Sequence, residues 1–318
     1  DSFRAIRFVA SCNSRLTLSV SIPSIFRCGT IANLSEEILN ARGHQPSDAG
    51  IIVQFGAIGV RPSIFLIHPL GGDTACYRPL ASRLLHTYNV FGIQSTQLSS
   101  ASTIENIAAH CINALQRYIE DQPVVLAGWS FGGLVAHEMC RQLEVADRAP
   151  SLLALIDTYT SLPRLAKEAT EEQLFTQFME DLDRSTGGLF DFLPQSLRAD
   201  DGGIGWDELR AHLSRLGLWG SDVSVTTIQR SFEKYRDHVR AASRFSFRPI
   251  KSRATIFVSS NHGSLVAAEH DWRPYLSGNV SCVSVYGDHY SMMKEPHVKM
   301  VSDYLVRFVP EACLRYDL

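Results

Sequence analysis

From Ile51 onward, short apolar runs of strand length alternate with segments whose apolar residues recur at helical spacing. That alternation is the strongest constraint on the fold, because strands joined through crossover helices run parallel within one sheet. The runs Ile64–Ile67, Val90–Ile93, Val124–Ala127, Leu152–Ile156, Thr255–Val258 and Val280–Val285 predict strands. Helices are expected around Leu80, Leu84 and Leu85, from about Thr103 to Ile119, from Phe131, and from about His297 to Val309. These features predict an α/β fold with a mostly parallel central sheet.

The alternation breaks between about 160 and 245. Leu174, Phe175, Phe178, Met179 and Leu182 repeat at helical spacing behind the capping box Thr170-Glu171-Glu172-Gln173. Leu209, Leu213 and Leu216 predict a second helix there, and about Thr226 to Phe245 a third, strongly charged one. A helical insertion within an α/β sheet is expected to serve as a lid. Residues 1–41 form a separate helical piece, with Phe3, Ile6 and Ala10 on one face and Ile31, Leu34 and Ile38 on another. The polar stretch at 42–49, with Gly43, Pro46, Ser47 and Asp48, predicts a linker to a large domain over 50–318.

Composition excludes several classes of function. The 318 residues carry 30 Lys and Arg against 33 Asp and Glu, a net charge of −3, with no clustered basic face to bind nucleic acid. No apolar run reaches the roughly 18 residues of a membrane span. Residues 1–10 lack the apolar core of a signal peptide, and there is no initiating Met, so the sequence reads as part of a longer chain. Seven cysteines without a CxxC pair suggest reduced thiols in a cytoplasm rather than a disulfide framework or a zinc site.

The chemistry concentrates at Gly128-Trp129-Ser130-Phe131-Gly132. This G-x-S-x-G follows the predicted strand Val124–Ala127 and precedes a helix, the strand–turn–helix context of a nucleophile elbow. Ser130 is the candidate nucleophile. A serine hydroxyl needs a base, and His289 is favoured because it follows the last strand, where the chain order Ser, acid, His expects it. His262, which also follows a strand, is its rival. Asp157, Glu269, Asp271 and Asp288 are candidate acids. The tetrahedral oxyanion needs two N–H donors. Phe131, directly after the nucleophile, offers one, and Leu70 in His68-Pro69-Leu70-Gly71-Gly72 the other. His68, closing a buried strand, is expected to be a hydrogen-bonded structural residue.

Together, Ile67-His68-Pro69-Leu70-Gly71-Gly72, Ala127-Gly128-Trp129-Ser130-Phe131-Gly132-Gly133, Leu155-Ile156-Asp157 and Gly287-Asp288-His289-Tyr290-Ser291-Met292-Met293 resemble the terminal thioesterase domains of non-ribosomal peptide synthetases over residues 50–318. The resemblance implies an α/β-hydrolase fold, a helical lid over about 160–245, and Asp157 as the acid, since in that family it follows the strand after the elbow. Residues 1–41 are similar to the C-terminal part of a peptidyl carrier domain. Asp1-Ser2-Phe3-Arg4-Ala5-Ile6 is similar to its 4′-phosphopantetheine attachment site, with Ser2 as the modified residue. The implied function is release of an acyl or peptidyl chain from the phosphopantetheine arm of a carrier domain of the same assembly line. Hydrolysis and macrocyclisation both stay open, and no metal is implied. A polyketide-synthase terminal thioesterase, an editing thioesterase, a free-standing serine esterase and a non-catalytic docking scaffold are the alternatives.

Overall fold

The computed structural model describes residues 51–95, 102–119, 123–186, 205–207, 209, 211, 225–261 and 263–313, together with 8, 12, 31, 34 and 35. The chain divides into two units. One comprises Ala49–Glu168 and Asp237–Leu318; the other comprises Asp1–Asp48 and Ala169–Arg236.

The larger unit is built on a seven-stranded sheet: β1 (Ile52–Gln54), β2 (Ser63–Ile67), β3 (Asn89–Ile93), β4 (Val124–Trp129), β5 (Leu152–Ile156), β6 (Ala254–Ser259) and β7 (Val280–Val285). Their spatial order is β1-β3-β2-β4-β5-β6-β7. Every pairing is parallel except that of β1 with β3, where Ile52 faces Ile93 and Gln54 faces Phe91.

The inner strands are continuous apolar runs because helices cover both faces of the sheet. Side chains alternate between two cores. Phe65, Ile67, Phe91, Leu126, Leu153 and Leu155 pack on one side with α2 (Ile104–Leu115) and α3 (Phe131–Val145). Ile64, Leu66, Val125, Ala127, Leu152 and Ile156 pack on the other with α1 (Arg78–Leu84) and the C-terminal helix Val298–Cys313. Thr103 caps α2 by accepting from the Asn106 N–H at 3.3 Å, which satisfies one donor left over at the helix start.

The insertion between β5 and β6 contains α4 (Leu162–Glu168), α5 (Glu171–Thr186) and α6 (Val225–Ser243). Thr170 and Gln173 cap α5 reciprocally, as the sequence pattern predicts. The Thr170 N–H donates to Gln173 Oε1 at 2.8 Å and the Gln173 N–H donates to Thr170 Oγ1 at 3.2 Å. In the smaller unit, Phe178 packs on Phe232 and Tyr235 of α6, and the Tyr235 hydroxyl donates to Asp181 at 2.8 Å. Beyond β6 the chain forms α7 (Leu265–Trp272) and, after β7, α8 (Val298–Cys313). Among the described residues no helix is long and apolar enough to cross a membrane.

The buried side of α3 carries His137, edge-on to Phe247 at 5.1 Å and tilted against Trp272 at 5.8 Å. Burial pushes its imidazole down from 6.5 to about 4. Between those values the unfolded chain binds a proton that the folded chain refuses, so stability falls as pH drops through that window. Urea unfolding at pH 7 and at pH 4 should differ by about 3 kcal/mol from this group. His137→Leu should abolish that part of the pH dependence; an unchanged dependence would assign it elsewhere.

Candidate active site

Register decides where the predicted residues meet. Ile67 pairs with Gly128, Gly128 with Leu155, and Trp129 with Ile156, so β2, β4 and β5 end level at their carboxyl edge. Ser259 likewise pairs with Val285 at the ends of β6 and β7. The loops carrying Leu70, Ser130, Asp157 and His289 therefore all leave one edge of the sheet. The chain winds outward in opposite directions from β2 and β4, and the crevice at such a switch point is where open α/β sheets bind ligands.

Ser130 stands directly before α3 with φ 56° and ψ −123°, a conformation that a residue with a side chain occupies only under strain. The surroundings enforce it. Its N–H donates to Ile156 O at 2.9 Å, and its carbonyl accepts from the Gly133 N–H and the Thr158 hydroxyl, both at 3.0 Å. The turn also demands small residues. A Cβ at Gly128 would lie 2.1 Å from the Gly132 carbonyl oxygen, and one at Gly132 would lie 2.4 Å from that of Ile67. Buried Tyr77 braces the elbow from below, accepting from the Trp129 N–H and donating to Ile67 O, both at 2.7 Å. Burial holds its phenol protonated.

His289 Nδ1 lies 2.6 Å from Asp157 Oδ2. A carboxylate can only accept, so Nδ1 carries the proton and the free lone pair belongs to Nε2. The same loop is tied to the residue before Ser130. The Trp129 indole N–H donates to His289 O at 3.0 Å, and the two rings are 4.9 Å apart. Asp157 has a positive φ, 45°, and is buried, whereas His289 is partly open to solvent. Asp157 Oδ1 accepts from the Ser259 N–H and the Tyr159 hydroxyl, both at 2.8 Å, and Oδ2 also accepts from the Ser259 hydroxyl at 3.2 Å. Burial alone would raise its pKa, but hydrogen bonds from His289, the Ser259 N–H and Tyr159 overcome that and hold it below the ordinary value. The stability this carboxylate contributes is thus fully present above its ordinary value and is lost as pH falls through the folded value. Burial, then the neighbouring carboxylate, pushes Tyr159 up to about 12, so it remains a donor.

The competing acids have other places. Glu269 and Asp271 are exposed on α7. Asp288 turns back into its own loop, accepting from the N–H groups of Tyr290 and Ser291 at 2.9 and 2.8 Å. Ser2 and His262 lie outside the described residues. His68 is buried, with Nδ1 2.9 Å from Pro69 O and its ring stacked 5.9 Å from Phe131, as expected of a residue closing a buried strand. Phe131 is the first residue of α3, where an N–H has no partner within the helix. Tyr77, Thr158, Tyr159 and Ser259 escape sequence reasoning: Tyr77, Thr158 and Ser259 act through contacts across strands, Tyr159 through a bond to Asp157 two residues back, and no motif marks any of them.

A strained serine on a strand–turn–helix, with a histidine–carboxylate pair arriving from later strands of the same sheet, defines an α/β-hydrolase. The model of the thioesterase domain family matches residues 62–308, and the chain belongs to that family. Its relatives include nonribosomal peptide synthetases. It is 30% identical over 176 residues to malpinin synthetase of Mortierella alpina and 27% identical over 176 residues to the dimodular nonribosomal peptide synthase of Bacillus subtilis (strain 168). Each match covers 54% of this chain, but only 2% and 7% of those synthetases. Among solved structures, the Vlm2 thioesterase domain superposes with a TM-score of 0.55 at 22% identity, covering 80% of this chain and 96% of that one. The four-domain nonribosomal peptide synthetase AB3403 superposes with a TM-score of 0.74 at 23% identity over 96% of this chain and 23% of its own. Both likenesses concern the fold.

Proposed function

We propose that this chain releases an acyl or peptidyl group from the phosphopantetheine arm of a carrier domain, through an ester on Ser130. The observation that carries the reading is the 2.6 Å bond between His289 Nδ1 and Asp157, made by a loop that is also bonded to Trp129, the neighbour of Ser130. It leaves the lone pair on Nε2, which we assign as the base for Ser130.

In the first half-reaction the Ser130 hydroxyl attacks the thioester carbonyl while His289 Nε2 takes its proton. The N–H groups of Leu70 and Phe131 hold the oxyanion, and Asp157 stabilises the imidazolium. The carbon–sulfur bond then breaks, His289 returns the proton to the departing pantetheine thiol, and an acyl-Ser130 ester remains. In the second half, water or a hydroxyl or amine of the bound chain attacks that ester, with His289 again taking the proton. Ser130 is regenerated and a free acid or a ring leaves.

Residues 1–41 are read as the C-terminal part of the carrier domain, with Ser2 as the phosphopantetheine attachment residue, followed by a linker at 42–49. The likeness to the dimodular nonribosomal peptide synthase supports a peptidyl carrier over a polyketide one. The test compares an acyl-pantetheine thioester with the ethyl ester of the same acid. A carrier-releasing enzyme should favour the thioester by at least about tenfold in kcat/KM. Equal rates, or a preference for the ester, would point to a general esterase instead.

A further inference from the structure

We propose that His238 is a positioning residue that fixes the loop bearing Leu70; the proposal rests on the reading of Leu70 as an oxyanion donor. His238 lies in the last turns of α6, is fully buried, and belongs to the same unit as every group it touches here. Its Nδ1 lies 2.6 Å from the Leu70 carbonyl oxygen and its Nε2 lies 2.9 Å from the Ser95 hydroxyl. A carbonyl can only accept, so Nδ1 bears the hydrogen and donates to it. The ring also packs 4.9 Å from Phe131 and 4.9 Å from His68. One imidazole thus touches both segments whose N–H groups are assigned to the oxyanion.

The geometry of Leu70 explains why that matters. Its N–H belongs to the peptide after Pro69, and its carbonyl to the peptide before Gly71. The Pro69 carbonyl accepts from the Gly72 N–H at 2.9 Å, and His238 holds the Leu70 carbonyl. In a trans peptide the N–H points opposite to the C=O. The Pro69 carbonyl, held by the Gly72 N–H and 2.9 Å from His68 Nδ1, sets the direction of the Leu70 N–H, and His238, by holding the next plane, fixes the Leu70 torsions and so the place of that donor. Without His238 the Leu70 carbonyl is released, the loop can shift, and the donor loses part of the preorganised position on which oxyanion stabilisation depends.

The test uses the full chain and a fluorophosphonate probe. In that reaction the Ser130 oxygen bonds to phosphorus, the P–F bond breaks, and fluoride leaves while His289 takes the serine proton; the P=O oxygen occupies the oxyanion position. His238→Leu should lower the limiting labelling rate by about 10- to 100-fold, a partial loss of one donor, with half-saturation changed less than about threefold. His238→Asn, whose amide nitrogen can occupy the place of Nδ1, should recover most of that rate. A purely packing role would leave Asn no better than Leu. Wild-type labelling rates in His238→Leu, or failure of Asn to rescue in a folded protein, would overturn the proposal while leaving the Ser130 reading intact. An unreactive wild-type chain would instead overturn that reading, and this proposal with it.

Discussion

Ser130→Ala should slow thioester turnover by about 10⁴- to 10⁶-fold while leaving the fold unchanged. The hydroxyl is the only part of Ser130 that the change removes. The hydrogen bonds that hold the elbow run through its backbone N–H and carbonyl, to Ile156, Gly133 and Thr158, and alanine keeps all three. The expected effect is therefore catalytic, with the unfolding midpoint within a few degrees of wild type, a shift of about 1 kcal/mol or less. Steady-state release from an acyl-pantetheine thioester reads it directly. A variant keeping more than about a tenth of the rate would remove Ser130 from its role.

Asp157→Asn is the second large effect, and the hydrogen-bond pattern fixes its mechanism. Oδ1 accepts from two donors, the Ser259 N–H and the Tyr159 hydroxyl. An asparagine there must place its carbonyl oxygen at that position, which turns its NH₂ group toward His289. An NH₂ cannot accept from Nδ1–H, so the imidazole proton moves to Nε2, and the lone pair needed for the serine proton is lost. Turnover should fall about 10³- to 10⁴-fold at neutral pH, with substrate half-saturation little changed. Loss of less than about tenfold would mean that another group orients His289.

The long-range plan of the molecule was legible because it rests on strong local signals. Continuous apolar runs at Ile64–Ile67, Val124–Ala127 and Leu152–Ile156 mark strands covered on both faces, and all three lie within observed strands. The boundaries near Thr103 and Thr170 were readable because a capping hydroxyl is a local device. β1 escaped notice: three residues, half-exposed and paired antiparallel at the sheet edge, carry too short a pattern. α7 escaped as well, since its described face is largely exposed and only Trp272 is buried.

The candidate site was half legible for a related reason. Ser130, Asp157 and His289 each follow a strand, so element order points to them. Choosing Asp157 over Glu269, Asp271 or Asp288 needed the family resemblance, because spacing along the chain does not encode which carboxylate faces an imidazole 132 residues away. Nothing local marks Tyr77, Tyr159, Ser259 or His238. The partners of Tyr77 and Ser259 follow from the level ends of β2, β4, β5 and β6, a property of the assembled sheet; those of Tyr159 and His238 follow from how a loop and a helix fold over that edge.

The central claim is covalent: the acyl group passes through the oxygen of Ser130. The chain should be mixed with an acyl-pantetheine thioester, quenched in acid within the first turnover, and weighed intact by mass spectrometry. One acyl group per chain is predicted, located by peptide mapping to the segment containing Ser130 and absent from Ser130→Ala. Complete release with no adduct at any time, or an acyl group mapped to another side chain, would contradict it.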